Sequence, residues 1–249
     1  MKYAVITGTS RGLGEAVAEK FMKQGVHVLG ISRSGNAKLD ALNEEKAGSF
    51  EHIEADLNDP ADLKNVAAVV KEKVFHKQSE YVYVVNNAGV VEPIETAGNL
   101  DAEAVQKHMQ INVTAPILLI NELLPAASEA SVKLGIVMVT SGAAEKSIHG
   151  WSVYSSSKAA LNRFTETLAL EQEGSGHTIL AFSPGVMDTD MQQEIRSSSE
   201  SAFADVDKFK KMKEENVLRS PEEVAEVLMN LLGQEITNGQ VYRLYDLVN

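Results

Sequence analysis

Tyr154 and Lys158 stand four residues apart in a stretch with helical periodicity, so a phenol and an ammonium share one helix face. A phenol with an ordinary pKa of about 10 is a poor acid–base group at neutral pH; a nearby cation that stabilises its phenolate brings it into range. Such pairs also arise by chance on many helices. Ser141 adds a second group. It follows the apolar run Ile136 to Val139, which puts its hydroxyl at a strand end, where it can polarise a carbonyl beside Tyr154. Asn112, between Ile111 and Val113, needs a partner if buried. It can hold a water linking Lys158 to solvent, or satisfy a backbone carbonyl.

A second cluster, Thr7-Gly8-Thr9-Ser10-Arg11-Gly12-Leu13-Gly14, falls between the apolar run Tyr3 to Ile6 and a helical pattern of Ala16, Val17, Phe21 and Met22. Glycines in a strand-to-helix turn let the backbone approach a pyrophosphate at a helix N-terminus. The spacing is Gly-x3-Gly-x-Gly, and a turn of this kind can also be merely structural. A second apolar run, Val26 to Ile31, leads to Arg33. An acidic residue at this strand end would accept from a ribose 2'-hydroxyl, whereas arginine pairs with a 2'-phosphate. Arg33 and Arg11 therefore favour NADP(H) over NAD(H), unless both are ordinary surface arginines.

These groups need a frame. Further apolar runs at Phe50 to Ala55, Tyr81 to Val85, Ile136 to Val139, Thr178 to Phe182 and Val241 to Leu244 alternate with helical patterns, the longest around 101–130 and 152–173. The pattern predicts an α/β protein with a doubly wound parallel sheet in three layers, the Rossmann fold. No linker or repeat divides residues 1–249, so one nucleotide-binding domain is expected. Residues 190–220, with Ser197-Ser198-Ser199 and a Lys/Glu-rich stretch, break the rhythm before the last helix. They read as a substrate lid or as a solvated helical hairpin.

Composition narrows the chemistry. With no cysteine in 249 residues, disulfides, thiolate nucleophiles and Cys-ligated metals are excluded, and a reducing, cytoplasmic setting is expected. The six histidines show no ligand spacing, so no metal site is expected. A net charge of -12 disfavours nucleic acid and anionic lipid. No apolar stretch is long enough to suggest a membrane span or signal peptide.

Taken together the motifs resemble the classical short-chain dehydrogenase/reductase family over essentially the whole chain. In that resemblance Asn112, Ser141, Tyr154 and Lys158 match the catalytic tetrad, and Gly8, Ser10, Arg11, Gly12, Leu13 and Gly14 belong to the cofactor turn. Asp56-Leu57 matches the pair flanking the adenine, and Asn87-Ala88-Gly89 belongs to the segment that supports the sheet and adenosine ribose. Pro184, Gly185, Val186 and Thr189 match the segment that holds the nicotinamide carboxamide. Nearer likeness is to the branch of bacterial benzil reductases that form (S)-benzoin, in the neighbourhood of sepiapterin reductases. It rests on Ser141-Gly142-Ala143-Ala144, Gly150-Trp151-Ser152-Val153-Tyr154, and the run from Ser183 to Gln192 continued by Ile195 to Ser198.

The resemblance implies an NADPH-dependent reductase of aromatic ketones or 1,2-diketones. Ser141 would polarise the carbonyl, Tyr154 give the proton, Lys158 hold the ribose and depress the Tyr154 pKa, and Asn112 place a water. Rival readings are a sepiapterin, 3-oxoacyl thioester or sugar reductase, or a non-catalytic NADP-binding sensor. A homodimer is expected from the family alone. Trp151, with Ala143, Met187 and Met191, would line an apolar substrate pocket, although each methionine could equally belong to the core. Asp188 and Asp190 read as helix N-terminal caps, and Glu44-Glu45, Lys210-Lys211 and Glu222-Glu223 as solvated faces. Arg11, Arg33 and Lys158 together would form a small basic channel.

Overall fold

A computed structural model describes residues 1–43 and 48–248; the Glu44-Glu45 run lies outside the described residues. Parallel strands β1 (Lys2–Thr7), β2 (His27–Ser32), β3 (Phe50–Glu54), β4 (Tyr81–Asn86), β5 (Lys133–Val139), β6 (Thr178–Ser183) and β7 (Val241–Arg243) form one sheet, in the order β3-β2-β1-β4-β5-β6-β7. Helices α1 (Gly12–Lys23), α2 (Ala37–Leu42) and α3 (Pro60–Val74) alternate with the first strands. Next come α4 (Ala102–Met109), α5 (Ala115–Ala130) and α6 (Ser152–Glu171), then α7 (Asp190–Arg196), α8 (Val206–Glu214), α9 (Pro221–Leu232) and α10 (Leu244–Leu247).

The strands are near-continuous Val, Ile and Leu because both faces are covered. On one face Leu63, Val66 and Val70 of α3, Leu119, Ile120 and Leu123 of α5, and Leu161 and Leu168 of α6 close over Val82, Val84, Leu134 and Ile136. On the other, Val17, Phe21 and Met22 of α1 and Val224, Leu228 and Leu231 of α9 close over Ala4, Ile6, Val137 and Phe182. The chain leaves β1 in one direction for β2 and β3, then resumes at β4 on the opposite side. That reversal leaves a crevice at the C-terminal ends of β1 and β4, where doubly wound folds take ligands.

The helical pattern over 101–130 is broken. A π-turn at Gln110–Thr114 separates α4 from α5, a distortion that recurs at functional sites. The run Ala102–Ala130 is also long and apolar enough to cross a membrane by length and composition, contrary to the expectation from sequence. Its apolar side is spent on the sheet, through Leu119, Ile120, Leu123 and Ala127. Helix ends follow local chemistry: Asp59 caps α3 with Pro60 behind it, and Ser220 and Glu223 form a reciprocal capping box on α9. Glu223 is thus a cap and not simply part of a solvated face. Lys210 and Lys211 of α8 do lie outward, paired with Asp207 on the same helix and with Glu215 at its C-cap.

The stretch from Asp190 onward is an excursion with a pinned base. Met187 and Arg219 form an isolated parallel bridge, and the Asp188 N–H donates to the Arg219 carbonyl at 3.0 Å. Between these points α7, α8 and the segment joining them bring Ile195, Phe203, Val206 and Phe209 onto Val91, Ala143, Trp151 and Tyr154.

Candidate active site

The glycine turn is built on close backbone approach. A Cβ on Gly14 would lie 2.1 Å from the Gly8 carbonyl oxygen and 2.6 Å from Asn87 Nδ2, and Gly12 has a φ of +63°. Asn87 Nδ2 donates to the Thr7 carbonyl at 2.9 Å and the Gly8 carbonyl at 3.3 Å, while Thr7 Oγ1 accepts from the N–H groups of Asn87 and Ala88. Thus Asn87-Ala88 clamps the turn from β4. Leu13 is buried beneath it. On the other flank Asn36, which the sequence reading passed over, donates to the carbonyls of Thr9 and Ser10 and to Glu15 while capping α2. A turn with positive φ, bare Cα atoms and a helix N-terminus behind it fits a pyrophosphate.

Around this cradle the remaining expected contacts fall on the same edge. Arg33 is exposed at the end of β2 and makes no ion pair among the described residues. Thr189 lies across the crevice, its Cγ2 3.6 Å from where a Gly12 Cβ would stand. Gly185, at φ +71°, faces the Tyr245 ring, and Val186 packs on the aromatic cluster beside Tyr154. Asp56 folds its own loop, accepting from the Asn58 N–H at 2.9 Å, while the Leu57 side chain is buried in the sheet core. Arg11 departs from the expected basic channel: its guanidinium is 2.5 Å from Asp190 in α7.

Tyr154 and Lys158 sit in the first two turns of α6, with Ser141 just after β5. Ser141 Oγ accepts from the Ala143 N–H at 3.2 Å, and its hydroxyl faces the Tyr154 phenol closely enough to favour the phenolate. Lys158 is 4 % exposed; its Nζ donates to the Val139 carbonyl at 3.0 Å and lies 5.9 Å from the Tyr154 ring centroid. Burial pushes the Lys158 ammonium down to about 8. Burial also pushes the Tyr154 phenol up, opposed by the Ser141 hydroxyl. The expected depression of Tyr154 by Lys158 is therefore not found among the protein's own groups: the ammonium is turned to a carbonyl and the phenol is desolvated. A protonated phenol is the form that can donate a proton to a carbonyl oxygen.

Asn112 takes the structural option left open by its sequence. In the π-turn it is 1 % exposed, its Oδ1 accepting from the Val90 N–H at 2.9 Å and its Nδ2 donating to the Val90 carbonyl at 2.8 Å. Behind it stands His108, which sequence reasoning set aside for lack of ligand spacing. Its four-residue offset from Asn112 on one helix face was the available signal.

Trp151 is 5 % exposed, stacked on Phe203 at 4.8 Å between centroids and edge-on to Tyr154 at 5.1 Å and Phe209 at 5.5 Å. Its indole N–H is buried without a partner among the described residues. Ala143 and Met191 join this cluster, whereas Met187 packs on the opposite core under the α9 side. Neither Phe203 nor Phe209 carried a sequence signal. Asp188 and Asp190 do not cap α7: Thr189 occupies the cap position without a side-chain bond, and the two carboxylates pair with Lys213 and Arg11. Asp190 already lies inside the helix, where its side chain cannot reach back as a cap. A cleft of about 870 Å³ opens beside the cluster, lined by Arg11, Glu92, Ile94, Asp190, Glu194 and Ser198.

A dinucleotide cradle at a sheet switch point, with a Ser-Tyr-Lys group at the neighbouring strand end, defines an oxidoreductase that works at a carbonyl or alcohol carbon. Comparison with known proteins gives the family. The short chain dehydrogenase sequence model matches residues 2–200, and the chain belongs to that family, whose members use nicotinamide cofactors. It is 36 % identical over 244 residues to a benzil reductase ((S)-benzoin forming) of Bacillus subtilis, covering 97 % of this chain and 98 % of the relative. It is 34 % identical over 247 residues to the benzil reductase ((S)-benzoin forming) of Bacillus cereus, covering 98 % and 99 %. The crystal structure of a short chain dehydrogenase/reductase from Saccharomyces cerevisiae superimposes with a TM-score of 0.82 at 30 % identity, covering 98 % of this chain and 96 % of that one.

Proposed function

We propose that the protein is an NADPH-dependent reductase of apolar aromatic ketones and 1,2-diketones, with benzil as the test substrate. The observation that carries the substrate class is the Trp151 environment. Three aromatic rings and the catalytic phenol form one apolar cluster, and the single polar group of the indole is a buried N–H without a partner among the described residues. An unpaired buried donor costs about 1–3 kcal/mol, and the second oxygen of a 1,2-diketone would take it. The benzil reductases among the relatives support the same reading. For the cofactor, Arg33 is free to meet a 2'-phosphate, and the exposed Arg11–Asp190 pair exchanges cheaply for a phosphate contact.

In this reading the glycine turn and Asn87-Ala88 hold the dinucleotide, and Lys158, next to Gly89, holds its ribose. Bound there, the nicotinamide supplies the hydride. Ser141 donates a hydrogen bond to the substrate oxygen and fixes it beside Tyr154. Tyr154 gives its proton to that oxygen as charge develops, and Lys158 stabilises the phenolate left behind. Residues 190–220 act as a lid that excludes water from the reacting carbonyl.

A panel following NADPH loss with benzil, acetophenone, sepiapterin and acetoacetyl thioesters tests the substrate class. Benzil is expected to give the highest kcat/KM, and Trp151→Phe should raise KM for benzil about tenfold while leaving acetophenone within about twofold. A higher kcat/KM for a thioester or pterin would overturn the assignment. Arg33→Ala should weaken NADPH far more than NADH; equal losses would remove the 2'-phosphate contact.

A further inference from the structure

His108 is fully buried at the end of α4, in contact with the catalytic helix, and the mechanism above gives it no task. Its Nδ1 lies 2.6 Å from the Glu92 carbonyl oxygen. A carbonyl only accepts, so Nδ1 carries a proton. On the other side of the ring, Nε2 lies 2.9 Å from Asn112 Nδ2 and 2.9 Å from Ser157 Oγ. Asn112 cannot be turned over, because Val90 reads both ends of its amide. Its nitrogen therefore points an N–H at Nε2, which must present a lone pair. Ser157 Oγ is also 2.8 Å from the Tyr154 carbonyl, so its single proton is shared between that carbonyl and the Nε2 lone pair. Every polar group is satisfied only when the imidazole is neutral with its proton on Nδ1.

We propose that His108 is a positioning residue of the catalytic site, which in this neutral form locks Asn112 and Ser157 behind Tyr154 and releases them when protonated. A proton on Nε2 would be met by Ser157 Oγ but would set two N–H groups, those of Nε2 and Asn112 Nδ2, against each other. Relief swings the Asn112 amide away from Nε2 toward Ser157 Oγ, 3.5 Å from its nitrogen, and strains both bonds to Val90. Val90 continues Asn87-Ala88-Gly89, and an added Cβ on Gly89 would stand 3.3 Å from Asn112 Oδ1 and 3.5 Å from Lys158 Nζ. The disturbance therefore reaches the ammonium and the cofactor segment. The ring also meets Tyr154 edge-on at 6.1 Å.

The groups facing the imidazole set the direction of the switch. From α6 come the Lys158 ammonium and the Tyr154 phenol, and from the preceding loop the Glu92 carbonyl; the Glu92 carboxylate lines the outer cleft. Lys107 and Glu103 on its own helix are exposed. Burial and Lys158 hold the imidazole below its ordinary value, opposed by the bond to Glu92. Turnover is thus lost on the acid side of the usual histidine range, not at neutrality.

Two variants separate this from a packing role. His108→Gln can place an amide oxygen near Nε2, keeping an acceptor for Asn112 without a titrating proton; His108→Leu keeps bulk and removes the acceptor. For carbonyl reduction, His108→Gln should retain at least about a third of kcat at pH 8 and lose the acid limb that the parent shows below the ordinary histidine value of 6.5. His108→Leu should lose about tenfold or more in kcat with KM little changed. An acid limb that persists in His108→Gln, or a parental kcat in His108→Leu, overturns the proposal.

Histidine side-chain 15N NMR supplies an arm that needs no substrate. The imidazole signal that His108→Gln removes should be the Nδ1–H tautomer and remain neutral at pH 6.5; an Nε2–H tautomer, or titration at the ordinary value, overturns it. If the parent fails on benzil, that failure removes the substrate assignment only. The same two variants are then measured on whichever panel carbonyl the parent reduces.

Discussion

Between Thr7 and Gly14 the backbone is fixed by close contacts that leave no room for a carbon on Gly14, whereas residues 190–220 rest on the body chiefly through exchangeable side chains, with a close backbone approach where the Ala202 carbonyl meets Gly150. In the first region the Gly8 carbonyl, the Asn87 amide and the bare Cα of Gly14 interlock, and the ligand they suit is a phosphate group common to every dinucleotide. In the second, Phe203 and Phe209 lean on Trp151, and exposed ion pairs join Arg11 to Asp190 and Lys213 to Asp188. Backbone contacts cannot be altered one residue at a time without disturbing the turn. Ring contacts can, and under the proposed function substrate choice belongs on the side held by side chains.

The hardest test of the contrast is Gly14→Ala. Its Cβ has nowhere to go, and an overpacking cost of about 3 kcal/mol or more predicts at least a ~10²-fold loss of NADPH affinity by titration calorimetry, together with a lower Tm. Affinity within tenfold of the parent would show that the turn yields as readily as the lid.

Lys158, at the seam between the regions, should split activity from stability. Its folded pKa of about 8 lies below the ordinary 10.5, so the folded state resists protonation that the unfolded chain accepts. The cost is complete below pH 8 and fades as pH rises to 10.5. Lys158→Met should therefore lose at least about 10² in kcat yet gain about 1–3 kcal/mol at pH 7 after the lost bond to Val139 is offset, a gain that shrinks toward pH 10. Thermal melts at both pH values check the sign, and a gain that grew with pH would contradict it.

On the lid, Phe203→Ala should lower kcat/KM for benzil about tenfold and leave NADPH affinity within about twofold, because only the ring contacts to Trp151 and Phe209 are removed. Trp151 is the sole tryptophan, so its emission reads the change directly: a red shift is expected, and an unshifted spectrum would mean that Phe203 does not cover the indole. Asp190→Asn is the mildest change. The Arg11–Asp190 side chains are 65 % and 57 % exposed, so Tm should move by no more than about 2 °C, and NADPH affinity should rise at most a few-fold as Arg11 is released. A large change in either would make this pair a true latch.

The alternation of apolar runs placed all seven strands, because a strand buried on both faces must be apolar throughout, and a helix lying on it must be apolar on one side. The glycine turn and the Ser141, Tyr154 and Lys158 set were equally legible, since each occupies a strand end or a single helix face. Less legible were features that depend on distant partners. The π-turn dividing 101–130 shows itself only once Val90 meets Asn112, and the capping expected of Asp188 and Asp190 gave way to Lys213 and Arg11 from other elements.

What the amino-acid sequence determined by itself was the parallel sheet, the glycine turn and the placement of Ser141, Tyr154 and Lys158, because periodicity, glycine and residue type act locally. What tertiary structure alone decided was the state of those groups. Burial raises Tyr154 and lowers Lys158, Asn112 is committed to Val90, the tautomer of His108 is dictated by Glu92 and Asn112, and Phe203 is laid on Trp151. Desolvation and hydrogen-bond direction are properties of the space around a residue, and that space is assembled from segments far apart in the chain.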